Sequence, residues 1–483
     1  MTIDCLTSIR KGIIGIDHTI ETPYGQKPIL YADWTASGRL YRPIEEKMMN
    51  EIGPYVANTH TESNTTGAKM TKLYHEALSH IKKHVNASKE DVILSVGTGA
   101  TGAINKLQRL LGLRAPERLQ KLIKFDTNER PVVFITHMEH HSNHISWSEC
   151  LVDVVIVPPN EQGLVCPIQL EKEVRKYSDR PIKIGSFTAC SNVTGVMTPF
   201  HKLARVMHEN DGLCFIDFAA SAPYVEINMR PTDPLEKLDA IFFSPHKFLG
   251  GPGTNGILLF DSALYQNTVP DHPGGGTVLW TNPWGEKNYI SNIEIREDGG
   301  TPGFLQTIRT SLAIQLKEKM TVKSIHEREQ VLLDQLWNGL SSIDQVVILD
   351  NRHLERLPII SLYLQNIHHN LVVRLLDERF GIQVRGGCSC AGTYGHYLLQ
   401  IEREVSKSIT DQLNSGDLSQ KPGWIRISLH PTTTDEEVET IVEAIRSICE
   451  NIDEWKQDYI YDGVSNEWFH KNVVPSNVKV AID

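Results

Sequence analysis

The chain has 483 residues, 40 % hydrophobic and 22 % charged, with 34 Gly and 24 Pro, which allows two or three domains with buried cores and excludes a disordered or collagen-like chain. Lysine and arginine number 48 against 59 aspartate and glutamate, a net charge of −11 with no basic block, so nucleic acid is not an expected partner. Eight cysteines are too sparse for a disulfide framework, and neither a signal core nor an apolar run of about 18 residues appears. Free thiols, no membrane partner and a cytoplasmic location are the expectation.

Residues 1–28 form an N-terminal segment. Over 29–303 one pattern repeats: a short apolar, β-branched run, turn residues, then a longer stretch of helical spacing. The runs Val92–Val96, Pro131–Thr136, Asp153–Pro158, Ile182–Thr188, Leu213–Asp217, Ala240–Ser244 and Gly256–Phe260 predict seven strands. Most intervals hold a crossover helix, which predicts an α/β fold with a mainly parallel seven-stranded sheet covered by helices on both faces. Only the last pair is too close for a crossover, so Gly256–Phe260 is expected to run antiparallel.

Residues 304–450 read as a linker helix and a smaller α+β domain. Phe304–Leu340 predicts one long helix with interleaved charges such as Lys317, Glu318 and Lys319. Strands follow at Gln345–Leu349, Ile359–Leu364, Gly381–Arg385 and Trp424–Leu429, with a helix at Leu371–Phe380 and another from Asp435. Thr433 and Glu436 are spaced as a capping box for that last helix, and Val438, Ile441, Val442, Ile445 and Ile448 give it one apolar face. The tail 451–483 carries Trp455, Tyr459, Tyr461, Trp468 and Phe469, rings expected to pack on the same domain or on a partner subunit.

Chemistry gathers at the predicted strand ends. Phe243-Ser-Pro-His-Lys-Phe-Leu-Gly-Gly-Pro-Gly253 sets Lys247 directly after a buried strand, where ligands collect in open α/β sheets and a desolvated lysine forms a Schiff base with a carbonyl cofactor. Gly97-Thr-Gly-Ala-Thr-Gly102 opens a helix, and its free N–H groups suit a phosphate. Asp217 ends a buried run and would pair with a protonated ring nitrogen; taken alone it is equally a cap or a structural ion pair. His140 would stack on an aromatic cofactor or move protons, and the Asn192 amide would bond a ring substituent.

With these motifs in view the chain resembles the class V aminotransferase family of pyridoxal-phosphate enzymes, most closely its cysteine desulfurase and selenocysteine lyase branch. The likeness runs from about Ile29 to Ile448, starting at Tyr31-Ala-Asp-Trp-Thr-Ala-Ser37 and continuing through Asn58-Thr-His60. It implies a fold-type I, aspartate-aminotransferase-like architecture. By motif, Lys247 would be the Schiff-base lysine, Ser244, His246, Ala100 and Thr101 the phosphate ligands, and Asp217 the partner of the pyridine nitrogen. His140 would stack on the ring, Asn192 would approach the phenolic oxygen, and Arg426 would clamp the substrate carboxylate. Thr301, in Gly300-Thr-Pro302, resembles the segment that reaches the phosphate of a neighbouring subunit, which implies a homodimer with a shared site.

Val384-Arg-Gly-Gly-Cys-Ser-Cys-Ala391 decides the reaction. Its resemblance to the desulfurase loop Arg-x-Gly-x-x-Cys makes Cys390 the nucleophile, while Cys388 stands where relatives usually carry a histidine. Either thiol could attack, or one could resolve a persulfide on the other. Ala220 stands where many relatives have a cofactor-contacting glutamine. A metal would need ligands beyond the Cys-x-Cys pair, and His396 alone does not complete a set, so none is expected. The implied reaction converts L-cysteine to L-alanine and leaves a persulfide for a sulfur-acceptor protein. The alternatives are a selenocysteine or C–S lyase, epimerase or aminotransferase that leaves these thiols unused, and an inactive sulfur or cluster-assembly scaffold.

Overall fold

The computed structural model describes residues 3–59, 61–124, 128–352 and 355–472; His60 and the end of the tail, 473–483, lie outside them. The seven expected strands form one sheet: β1 (Asp91–Val96), β2 (Val132–Thr136), β3 (Asp153–Val157), β4 (Lys183–Thr188), β5 (Leu213–Asp217), β6 (Ala240–Phe243) and β7 (Gly256–Asp261). Their order is β1-β7-β6-β5-β4-β2-β3. The neighbours from β6 to β3 pair in parallel, whereas β7 is antiparallel to both β6 and β1, as the short interval before it predicts. Val132, Val133, Phe134 and Ile135 are fully buried, so alternate side chains of β2 fill cores on both faces of the sheet. No helix among the described residues is long and apolar enough to cross a membrane.

The helical stretch after residue 303 is not continuous. α4 (Phe304–Met320) ends at Thr321, which has φ 60° and ψ 137°, and α5 (Val322–Ser341) starts again under the Thr321 hydroxyl, an acceptor for Ser324 N. Nor does Lys317 belong to a solvated face. It is buried, and its ammonium donates to Ala222 O at 2.7 Å and to Val225 O. Burial pushes Lys317 down to about 7.

The second sheet is antiparallel throughout, with β8 (Val346–Ile348), β9 (Ile359–Leu364), β11 (Trp424–Ser428) and β10 (Arg385–Gly387) side by side in that order. The single strand expected at Gly381–Arg385 is two pieces. Ile382–Gln383 pairs in parallel with Leu30–Tyr31, while β10 starts at Arg385 and pairs with β11. One core joins this sheet to α5, α6 (His369–Phe380) and α9 (Asp435–Trp455). The capping box of α9 sits one residue later than the spacing suggests: Thr434 and Glu437 exchange the two bonds, and the Thr433 hydroxyl accepts from His430 N at 3.2 Å. Trp455 ends α9, and Tyr459–Asp462 pairs with Glu467–His470 in a hairpin. Tyr459 is buried and donates to Glu378 of α6 at 2.7 Å, so this part of the tail packs on its own chain.

Candidate active site

Five strand ends converge on a pocket of about 200 Å³ that is lined by Ala100, Thr101, His140, Asn192, Asp217, Ser244, His246, Lys247 and Arg426. A wider groove of about 620 Å³ lies beside β1 and α1 (Thr65–His84), away from these strand ends. It contains two matched pairs, Lys82 with Glu294 and Tyr74 with Asp298, and none of the predicted chemistry.

The strand after β1 turns sharply. Thr98 and Gly99 both have φ near +60°, and α2 (Gly99–Leu110) begins there with its N–H groups facing the pocket region. Ala100 N donates to Ser244 Oγ at 2.8 Å, and a Cβ on Gly99 would meet that hydroxyl at 2.9 Å. The glycine thus keeps open a cradle made of a helix N-terminus and a serine, which suits a phosphate. Thr101 and Ser142 bridge the mouths of α2 and α3 (His141–Ser148) with a 2.6 Å hydroxyl contact.

Lys247 follows β6 in a single turn of helix after Pro245. Desolvation first, and then the Arg426 charge, push its ammonium down to about 8, against the pull of Asp217 and Asp33. Asp217, 4 % exposed at the end of β5, accepts from Ala219 N at 2.8 Å and is pushed up to about 6 by burial. Burial and then Lys247 lower His140 to about 3, so its imidazole is neutral at any working pH. Its Nδ1 accepts from Ser142 N at 3.1 Å, which leaves the proton on Nε2.

Arg426 projects from β11 and is fully enclosed. It donates to Asp33 Oδ1 at 2.6 Å and to Asn192 O at 3.1 Å, but its Nε has no partner. The hydroxyls of Thr35 and Ser389 line the same pocket and are likewise buried and unmatched. Buried polar groups rarely stay unpaired, so three around one cavity mark a site built for a polar ligand. These residues fit a pyridoxal phosphate: the α2 cradle would take its phosphate, Asp217 would partner its ring nitrogen and Lys247 would hold its aldehyde. Ala220 lines the pocket and offers it no polar side chain.

The cysteine loop is a tight turn in which Cys388 O accepts from Ala391 N at 3.0 Å, with Ser389 and Cys390 both at φ above +50°. Left-handed backbone at two consecutive non-glycine residues is held by outside bonds: Asn192 Nδ2 to Ser389 O at 2.8 Å and His141 N to Cys390 O at 2.8 Å. Asn192 therefore braces the loop over the pocket. Cys390 Sγ is 3.8 Å from Nη2 of Arg385, which lines the pocket. Cys388, Cys390 and Thr301 do not line the pocket of their own chain; Cys390 adjoins it through Arg385. Glu139 was not singled out by sequence as a group of its own; it sits beneath His140 and accepts from Thr136, Thr188 and Asn143, tying β2 to β4. Its signal was a carboxylate following a buried strand, adjacent to the more conspicuous histidines. Burial pushes Glu139 up to about 7.

The sequence model of the class-V aminotransferases matches residues 30–441, and the chain belongs to that family of pyridoxal-phosphate enzymes. Among curated relatives it is 26 % identical over 373 residues to a probable cysteine desulfurase of Halalkalibacterium halodurans, covering 75 % of this chain and 84 % of the relative. It is 25 % identical over 425 residues to a probable cysteine desulfurase of Methanothermobacter thermautotrophicus, covering 87 % and 94 %. Among solved structures, a cysteine desulfurase from Thermococcus onnurineus superposes with a TM-score of 0.72 at 21 % identity, over 92 % of this chain and 98 % of that one. The cysteine desulfurase CsdA of Escherichia coli gives 0.70 at 19 % identity with the same coverage. At these identities the structures share the fold.

Proposed function

We propose that this enzyme is a cysteine desulfurase, converting L-cysteine to L-alanine and retaining the sulfur as a persulfide on Cys390. The observation that carries the reading is the arrangement of the pinned cysteine turn: Cys390 lies against Arg385, which lines the pocket together with Ser389, Lys247 and Arg426. When bound, pyridoxal phosphate supplies the electron sink that makes the substrate α-proton removable.

Lys247 has an amine neutral in a useful fraction of molecules near neutral pH, so it would hold the cofactor aldehyde and, as a free amine, would take the substrate α-proton. Buried Asp217 would hold a proton on the pyridine nitrogen. His140, neutral through burial, would stack on the cofactor ring without adding charge. Arg426 would donate from its unpaired Nε–H to the substrate carboxylate and is kept in place by Asp33 and Asn192. Cys390 then attacks the substrate sulfur: its S–S bond forms as the C–S bond breaks, the carbon gains the electron pair and a proton, and alanine departs.

Two further parts of the reading concern partners. Thr301 is exposed and outside its own pocket, which suits a reach into a second copy, and the nearby hairpin presents Leu279, Trp280 and Trp284 at 71 %, 64 % and 84 % exposure. A homodimer covers such rings. The persulfide is destined for a sulfur-acceptor protein in the cytoplasm. The test is a substrate screen with cofactor-loaded enzyme and an external thiol. Cysteine should yield alanine and sulfide in equal amounts; pyruvate and ammonia, or transfer of the amino group to a keto acid, would replace this reading with a lyase or an aminotransferase.

A further inference from the structure

The two thiols of the turn have different surroundings. Cys390 lies beside Arg385, which lines the active-site pocket, whereas Cys388 lines a separate cavity of about 160 Å³. That cavity is walled by Leu399 of α7 (Gly392–Leu399), Ile409 and Leu413 of α8 (Arg403–Asn414), and Trp424 of β11. Trp424 is 1 % exposed and its indole N–H has no hydrogen-bond partner. The helix over the cavity, α8, has no buried residue along its length, and an element with so little buried surface opens at low cost.

The tight turn sets the two cysteines two residues apart on a backbone that reverses at Ser389 and Cys390. Such left-handed pairs ordinarily fall on Asn-Gly, so holding them in Ser-Cys is strained. The bonds from Asn192 and His141 keep that geometry in place.

We propose, on the reading that Cys390 desulfurates cysteine, that Cys388 is a relay thiol that takes the sulfur from Cys390 and holds it in the apolar cavity for an acceptor entering beneath α8. In this step the Cys388 sulfur attacks the outer sulfur of the Cys390 persulfide. The new S–S bond forms as the bond to the Cys390 sulfur breaks, and the proton lost by Cys388 ends on Cys390. The exchange is neutral, with no net oxidation and no co-reactant. The mostly apolar walls, with His396, Ser406, Thr410 and Lys421 as the polar lining, limit the water around the stored sulfur. Cys390 is freed for a second turnover, so one chain stores two sulfurs.

The experiment mixes cofactor-loaded enzyme with cysteine and no external thiol, counts alanine released per chain in the burst, and locates the sulfur by alkylation and fragment-ion mass mapping. Wild type should release two alanines per chain, with sulfur reaching Cys388 when cysteine is limiting. Cys388→Ala should release one, a twofold loss, with the sulfur on Cys390. One alanine from wild type with sulfur on Cys390 alone overturns the relay and leaves the desulfurase reading standing. No alanine, or an undiminished burst in Cys390→Ser, overturns both. The position of the sulfur in wild type decides the matter even where a variant folds poorly.

Discussion

Cofactor capture by Lys247 should have a pH profile set by its burial. Desolvation and the Arg426 charge lower its ammonium to about 8, so roughly one chain in ten carries the neutral, nucleophilic amine at pH 7. An ordinary lysine near 10.4 would be neutral in roughly one of 2,500, so the pocket speeds capture about 250-fold at that pH. Below 8 the rate should fall tenfold per pH unit, and above 8 it should level off. The assay is stopped-flow absorbance after mixing cofactor-free protein with pyridoxal phosphate across pH 6 to 10, with Lys247→Ala as the blank. Asp217 opposes the shift, so Asp217→Asn should move the bend to lower pH. A rate that climbs without a bend to pH 10 would refute the argument that burial activates this lysine.

The remaining predictions bear on the cradle, the clamp and the fold. A Cβ at Gly256 would lie 2.0 Å from Gly99 O, about 1 Å too close, so Gly256→Ala should displace the phosphate loop and weaken cofactor binding about a hundredfold in a titration. Gly97→Ala meets nothing within 4 Å and should bind as wild type does. Arg426→Lys loses the planar fork that grips both Asp33 and the substrate carboxylate, and should raise KM for cysteine by about tenfold to a hundredfold in steady-state assays. Thr434→Ala removes the cap of α9 and should cost about 1 kcal/mol in urea unfolding.

The sheet was legible because buried β-branched runs separated by crossover-length intervals admit few other arrangements, and even the reversal of β7 was written in its short spacing. Lys247, Asp217 and the glycine turn were legible for the same reason, since chemistry that does not pack well stood at predicted strand ends. What escaped depends on contacts remote in sequence. Leu30–Tyr31 pairs with Ile382–Gln383, so the break in the strand after Gly381 is fixed by residues some 350 positions away. The left-handed turn at Ser389–Cys390 has no glycine to announce it, and its hydrogen bonds come from Asn192 and His141. The break at Thr321 was readable in principle, because threonine is a favoured N-cap residue and caps α5 here.

The account rests on Cys390 as the group that takes the sulfur, and the most direct measurement is alanine formation by Cys390→Ser protein whose cofactor has been verified on Lys247 by reduction with borohydride. No alanine from cysteine, with the cofactor in place, is the predicted result. Alanine formed at the wild-type rate would contradict it.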